Sequence, residues 1–293
     1  MKTSAIFYMG NKRKICEQLI SYFPKNINSF FELFSGSGVI SLNTVAKNYY
    51  LNDIDGHLFE LYQMFRDFNS DEIINHITTQ ISTFNLPTER TKRTKNSDSE
   101  LETKREVYKE SYFRFRDFYN KNRNVLDFYT LMLFSFSQQF RFNSNNEFNM
   151  PFGNDCFSEQ NQEYIKSSCN FFHQTNVFFS NKSFIDYKDF NFEKDDFIYC
   201  DPPYQGTTAV YNESSRPNAW NDSIDDSFLD FLDYLTKKSI KWGMSNVFHN
   251  KTFDNEKLKK WVADNNYNVK HLSMNYVACG KGTGGGYVDE VYI

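Results

Sequence analysis

The sequence predicts a doubly wound α/β sheet with an antiparallel C-terminal edge hairpin and a mainly helical inserted domain. Three observations predict it. Near both ends of the chain, short apolar runs of strand length alternate with stretches of helical periodicity, the pattern of a parallel sheet covered by helices. Between residues 56 and 175 the apolar side chains recur at helical intervals and strand-like alternation is missing. At the C-terminus two strand-like stretches flank a glycine-rich segment, which reads as a hairpin.

Each element has its own warrant. Residues 14–23 place Ile15, Leu19 and Phe23 on one helical face. Residues 29–34 form a short buried strand, Ser35-Gly36-Ser37-Gly38 a turn, residues 39–47 a helix, and residues 49–52 a second strand ending in Asp53, together a βαβ unit. In the insertion, Leu58, Leu61, Tyr62 and Phe65, and later Tyr108, Tyr112 and Phe115, keep helical spacing. Residues 88–98 have no periodicity and read as an exposed basic loop. Strands resume near Val177, and residues 197–200 form an apolar strand leading into Asp201-Pro202-Pro203-Tyr204. Next come a helix with Ile224, Phe228, Phe231 and Leu235 inward, a strand at 240–244 and a helix at 254–264. Strands at 269–279 and 287–293, joined through Gly280–Gly286, make the edge hairpin. The expected division is 1–55 with 176–293 as one domain and 56–175 as the other.

Composition limits the function classes. A chain of 293 residues can bury roughly 75% of its unfolded surface, so no disulfide or metal staple is needed. The formal charge, 33 minus 37 or −4, excludes bulk cationic attraction as the basis of any nucleic-acid binding. Abundant Phe, Tyr and Asn with scarce Gly and Pro reflect AT-rich coding, so the aromatics are not by themselves base-stacking platforms. Five cysteines without a CxxC pair argue against a disulfide scaffold or a zinc site and fit a reducing compartment. No apolar signal core and no 18-residue apolar stretch occur, so neither secretion nor a membrane span is expected.

Two motifs carry chemistry. In Phe31-Glu32-Leu33-Phe34-Ser35-Gly36-Ser37-Gly38, glycines at a strand-to-helix turn let a ligand approach the backbone. Asp53 stands where dinucleotide-type folds place a carboxylate for ribose hydroxyls, although an ordinary tight turn reads the same way. In Asp201-Pro202-Pro203-Tyr204, the prolines lack backbone donors, Asp201 adds a carboxylate acceptor and Tyr204 an aromatic face. That set suits a planar ring bearing an amino group.

At this point the chain resembles the Dam-like adenine-specific DNA methyltransferases. The resemblance rests on Tyr8-Met9-Gly10-Asn11-Lys12, FELFSGSG at 31–38, Asn52-Asp53, RFNSNNEFNMPFG at 141–153, CDPPY at 200–204, Ser245-Asn246 and DEVYI at 289–293. The order of the motifs matches as well. The resemblance implies a Rossmann-like methyltransferase sheet, an inserted target-recognition domain, and S-adenosylmethionine as cofactor. It implies that Tyr8, Lys12, Asp53 and Asp201 contact the cofactor, with the backbone around Phe34, Gly36 and Gly38 lining its methionine end and Asp53 taking the ribose hydroxyls. Phe184 occupies the position of an aromatic residue packed on the cofactor adenine or of plain core packing. Lysine at position 12 can also reach DNA. The flipped adenine would stack on Tyr204 and donate from its amine to Asp201 and the Pro202 carbonyl. Neither a metal nor a covalent intermediate is implied, and Cys200 reads as a packing residue.

Arg141, Asn143, Glu147, Asn149 and Pro151 fall in the family's recognition segment, with Arg141 the candidate for a bidentate contact to a guanine edge. Gln139 and Asn143 suit either adenine reading or a structural role. Members that read GATC carry basic residues after Pro-Phe-Gly; Asn154 and Asp155 stand there instead, which implies a different short site. Arg90, Lys92, Arg93 and Lys95 suit phosphate contacts or a solvated loop. Gly280–Gly286 reads as a hairpin turn, with an approach to DNA left open.

The implied partner is double-stranded DNA in a prokaryotic or phage-infected cytoplasm, with a cognate restriction endonuclease left open. Methylation of cytosine N4 or of a glutamine amide is disfavoured, since those enzymes carry Ser or Asn where Asp201 stands. RNA adenine stays open as a substrate. An inactive DNA-binding relic is opposed by intact Asp53 and Asp201.

Overall fold

The computed structural model describes residues 1–91, 99–204, 220–250, 253–272 and 288–293. In chain order its elements are α1 (Cys16–Ser21), β1 (Ser29–Glu32), α2 (Val39–Asn43), β2 (Asn48–Asn52), α3 (Gly56–Asp67), α4 (Ser70–Phe84), α5 (Ser99–Asn122), α6 (Val125–Phe134) and α7 (Glu159–Phe172). They continue with β3 (Val177–Ser180), β4 (Phe197–Cys200), α8 (Asp222–Lys237), β5 (Lys241–Asn250), β6 (Phe253–Asp254), α9 (Glu256–Asp264), β7 (Lys270–His271) and β8 (Asp289–Tyr292). Two compact units result: Lys12–Asp55 and Asn176–Ile293 with Met1, and Lys2–Asn11 with Gly56–Thr175.

The first unit holds the sheet, in the order β3-β2-β1-β4-β5-β8-β7, with β6 paired to β5. The five strands from β3 to β5 are parallel, whereas β8 runs antiparallel to both β5 and β7. All four residues of β1 are buried, as expected of a central parallel strand covered on both faces. Phe31, Ile198, Cys200 and Met244 meet Phe228, Phe231, Leu232 and Leu235 of α8 and Leu258 and Val262 of α9. On the opposite face the Phe23 ring packs 5.7 Å from Phe30, 4.9 Å from Phe197 and 5.3 Å from Tyr199. After β1 the chain moves to one side for β2 and β3, and it later returns to the other side for β4 and β5. The strand order therefore reverses between β1 and β4, and ligands of open α/β sheets bind beyond the carboxyl ends at such a point.

Some elements differ from expectation. The helix expected over 39–47 ends at Asn43, because Thr44 turns to extended backbone. The Tyr49 hydroxyl holds that turn, donating to the Thr44 carbonyl at 2.9 Å and accepting from the Ala46 amide at 3.1 Å. Strand β5 runs past Met244 to Asn250 and pairs with β6. The expected C-terminal strands pair as β7 and β8, with β8 lying between β5 and β7; the linking glycines lie outside the described residues.

The second unit is mainly helical. Its core is built by Leu61, Tyr62 and Phe65 of α3, Ile73 and Ile77 of α4, Tyr112 and Phe115 of α5, nearly all of α6, and Ile165 and Phe172 of α7. Residues 2–11, expected with the first unit, belong here: Ser168 Oγ accepts from the Ala5 amide at 3.0 Å, and the Tyr129 hydroxyl donates to the Ala5 carbonyl at 3.1 Å. The expected absence of strand-like alternation is also corrected. Phe140, Phe142, Phe148, Met150 and Phe152 are buried at every second position, and isolated bridges join Phe142 to Phe148 and Ser135 to Phe152.

Candidate active site

The two motifs leave the sheet from neighbouring carboxyl ends. After β1, the Leu33 amide donates to the Tyr199 carbonyl of β4 at 3.1 Å, and the Ser35 amide to the Asn52 carbonyl of β2 at 2.9 Å. The turn then closes with the Gly38 amide on the Ser35 carbonyl at 2.7 Å. Gly38 sits at φ +68°, a left-handed conformation that glycine adopts without penalty, and a Cβ there would meet Leu51 Cδ2 at 3.1 Å. Asp53 is fixed beside this turn: Oδ2 accepts from the Gly36 amide at 2.9 Å and Oδ1 from the Asp55 amide at 3.0 Å. Asn52 anchors the same corner, donating to the Leu33 and Lys182 carbonyls at 3.0 and 2.9 Å.

Asp201 follows β4 directly, and its part-buried carboxylate is the centre of a polar cluster. Lys12 Nζ lies 2.8 Å from Oδ2, and the Tyr204 hydroxyl donates to Oδ1 at 3.0 Å. The same hydroxyl reaches Glu290 Oε1 on β8 at 3.1 Å, and Lys12 Nζ stands 3.6 Å from that oxygen. Lys12 also lies over the Tyr204 ring, 4.7 Å from its centroid. Pro202 is buried beside Asp201. One ammonium is therefore shared by two carboxylates, with a phenol bridging them. In the sequence Glu290 is only one letter of the terminal DEVYI; its two-residue alternation with Tyr292 puts both on one face of a strand but does not say what that face meets.

Burial governs the electrostatics. It raises the Asp201 carboxyl above the ordinary range even against the Lys12 ammonium. It raises Glu290 as well, with Lys12 opposing and the Asp201 charge adding to the rise. Burial and the two acids push the Tyr204 phenol far up, so it stays protonated and remains a donor. Glu32, at the end of β1, is pushed up to about 8 by burial, although the Ser41 amide donates to it at 3.0 Å and the Ser41 hydroxyl also bonds to it. Burial likewise raises the Cys200 thiol well above its usual value, which suits a packing residue and not a nucleophile.

The other expected residues are placed as follows. Phe34 and Phe184 pack together at 5.9 Å, each also against Phe228 and Trp220. Tyr8 lies in the second unit with its ring 5.8 Å from Phe140. Arg141 is exposed, and Asn149 orients its guanidinium, accepting from Nε at 2.8 Å through Oδ1 and from Nη2 at 3.2 Å through its carbonyl. Asn143 is engaged inside the hairpin turn at both ends of its carboxamide: Oδ1 accepts from the Asn145 and Glu147 amides, and Nδ2 donates to Glu147 Oε2. Gln139 is half-buried, and the exposed Pro151 accepts from the Phe136 amide at 2.9 Å. Asp155 pairs with Arg90 at 3.2 Å, and Asn154 accepts from Arg105 Nε at 3.0 Å. Lys92, Arg93, Lys95 and Gly280–Gly286 lie outside the described residues. Among the described residues no helix is long and apolar enough to cross a membrane, and no group of three or more His, Cys, Asp or Glu could hold a metal ion.

Residues 8–276 match the family model of the D12 class N6 adenine-specific DNA methyltransferase. The chain belongs to this family. Among its relatives are the modification methylase StsI of Streptococcus sanguinis, 33% identical over 93% of this chain and 40% of the relative, and the type II methyltransferase M.FokI of Planomicrobium okeanokoites, 32% identical over 99% and 42%. The DNA adenine methylase of Haemophilus influenzae is 29% identical over 67% of this chain and 62% of its own length. The chain thus spans about two fifths of the length of the first two relatives. Within this D12 chain, the FELFSGSG turn and the DPPY loop are neighbours at the point where the strand order reverses.

Proposed function

We propose that this chain methylates the exocyclic N6 amine of an adenine flipped out of a short duplex DNA site, with S-adenosylmethionine as methyl donor. The observation that carries the proposal is the Asp201 carboxylate, backed by Lys12 and Tyr204, beside the glycine turn and Asp53 at the strand reversal. The chemistry of this donor set fits the cofactor: Asp53 is an acceptor suited to a ribose diol, the turn at Gly36 and Gly38 offers close backbone approach, and the acids suit a cation. When bound, S-adenosylmethionine supplies an electrophilic methyl group on a sulfonium.

In this reading Asp201 and the Pro202 carbonyl accept the two N–H bonds of the amine and orient its lone pair. Each carboxylate oxygen can accept two bonds, so Lys12 and Tyr204 leave Asp201 an acceptor. Lys12 covers one face of the Tyr204 ring, which assigns the other face to the base. As nitrogen becomes positive, the fixed Asp201 charge stabilises it electrostatically. A carboxylate is too weak a base to remove a proton from the neutral amine, so the proton leaves only once the nitrogen is cationic. Phe34 and Phe184 are assigned to the cofactor side. Residues 56–175 act as the target-recognition domain, where Arg141, Gln139, Asn143 and Pro151 are assigned to DNA. The named modification methylases among the relatives support a restriction-modification setting in a prokaryotic cytoplasm, with a cognate endonuclease as partner.

The test incubates the purified chain and S-adenosylmethionine with unmethylated genomic DNA and maps methylated adenines by single-molecule sequencing. Methylation at one short motif is expected. No methylated adenine beside an active control would overturn the proposal, and preferential methylation of matched RNA would replace the substrate. Asp201→Ala should lower kcat by roughly 100-fold or more while DNA affinity survives; retained turnover would refute the assigned chemistry.

A further inference from the structure

Resting on that reading, we propose that Glu290 is a positioning residue: its carboxylate holds the Tyr204 hydroxyl and takes a share of Lys12, so that the Tyr204 ring and the Asp201 carboxylate meet the target adenine in one fixed arrangement.

The backbone of Glu290 is held from both sides. It pairs opposite Val247 on β5, and its carbonyl accepts from the Leu272 amide at 2.8 Å. The next residue, Val291, packs into the core with Ile198 and Met244, so alternation along β8 turns Glu290 to the opposite face, where Asp201 and Tyr204 lie. Its side chain is only 4% exposed. A buried acid beside the part-buried Asp201, with Lys12 the one lysine between them among the described residues, is a costly arrangement for a fold to keep. A purely structural strand would be more stable with a neutral side chain there. The contacts account for the acid. The Tyr204 hydroxyl lies 3.0 and 3.1 Å from oxygens of the two carboxylates, which share its one proton, and this restrains the ring from rotating away from Asp201. Lys12 stands 2.8 Å from one acid and 3.6 Å from the other, so neither claims its charge alone.

Asp201 is faced by Lys12 before α1, Glu32 on β1, Tyr199 on β4, Tyr204 in its own loop and Glu290 on β8. Removing the Glu290 charge takes away a carboxylate that competes for Lys12 and repels the Asp201 charge, so Asp201 must then ionise at lower pH. Glu290→Gln keeps the volume and an oxygen for the Tyr204 hydroxyl, whereas Glu290→Ala removes both.

The experiment measures kcat and KM against pH for wild type, Glu290→Gln, Glu290→Ala, Tyr204→Phe and Tyr204→Phe combined with each Glu290 variant, with thermal melts to show that each folds. Glu290→Gln should move the acid limb of kcat to lower pH with KM for DNA changed by no more than about twofold. Glu290→Ala should cost about tenfold more in kcat than Glu290→Gln, the equivalent of one hydrogen bond, and this extra loss should vanish in the Tyr204→Phe background. An unmoved acid limb in Glu290→Gln, or an extra alanine loss that persists without the Tyr204 hydroxyl, would overturn the inference. If Glu290→Ala does not fold, Glu290→Gln decides alone. Carboxyl-carbon NMR of Asp201 in the free protein gives a readout independent of turnover: its midpoint should fall in Glu290→Gln, and an unchanged midpoint refutes the coupling. Failure of wild type to methylate adenine would sink the proposed function, while the NMR titration would still decide whether Glu290 acts on Asp201.

Discussion

Glu32 shows how one buried group can govern stability. Its ordinary value is 4.5, and burial on β1 raises it to about 8, so the folded chain favours the neutral acid. Its contribution is full below about pH 4.5 and is lost as pH rises through about 8. Glu32→Gln, which can still accept from Ser41, should therefore gain in Tm relative to wild type as pH rises from 5 to 8.5. Parallel melting curves for the two proteins across that range would contradict this. Arg141 makes a different prediction. Asn149 already orients its guanidinium, so Arg141→Ala should relax discrimination at one base pair by about 1–3 kcal/mol. Equal loss of affinity for every sequence would mark a phosphate contact instead. Lys12, Asp53, Asp201 and Tyr204 were legible in the sequence because each lies in a short motif whose chemistry is local. Glu290 was not, because its neighbours are set by strand pairing across the whole chain. The orientation of Arg141 by Asn149 was hidden for the same reason.

Among elements, the hairpin of the second unit is the one that periodicity missed. Phe140 to Phe152 do alternate, but an asparagine-rich turn interrupts the run, and the helices around it dominate the pattern. Gly153 locks its base: its amide donates to the Phe134 carbonyl at 2.8 Å, and a Cβ there would stand 2.4 Å from the Ser135 carbonyl oxygen. Both neighbours are backbone and cannot rotate away. Gly153→Ala should thus destabilise the chain by about 1–3 kcal/mol, with hydrogen exchange accelerated around residues 134–153. Protection equal to wild type would show that the backbone absorbs the methyl group without loss. The strands and helices of the sheet unit were legible because their apolar runs match their lengths. The early end of α2 was not, since the Tyr49 hydroxyl that holds the turn after Thr44 belongs to the next strand.

At the largest scale, the charge of −4 on this chain bears on the proposed binding of DNA. Attraction must come from local cations, so affinity should fall with salt by a slope near −0.9 for each phosphate neutralised, and a titration from about 50 to 200 mM would count them. Affinity independent of salt would exclude phosphate contacts altogether. The parallel sheet and the place of its two motif turns were legible from chain order, since strand, turn, helix and strand leave few topologies. The position of β8 was not. It lies inside the sheet, between β5 and β7, and it brings the second acid to Asp201. A ribosome therefore delivers DPPY long before it delivers Glu290. Until residues 289–292 emerge, β7 has no neighbour on the β5 side, and Lys12 and Tyr204 have one acid where the finished site has two. A stop between DPPY and β8 leaves a chain that carries the glycine turn and DPPY around an unfinished centre.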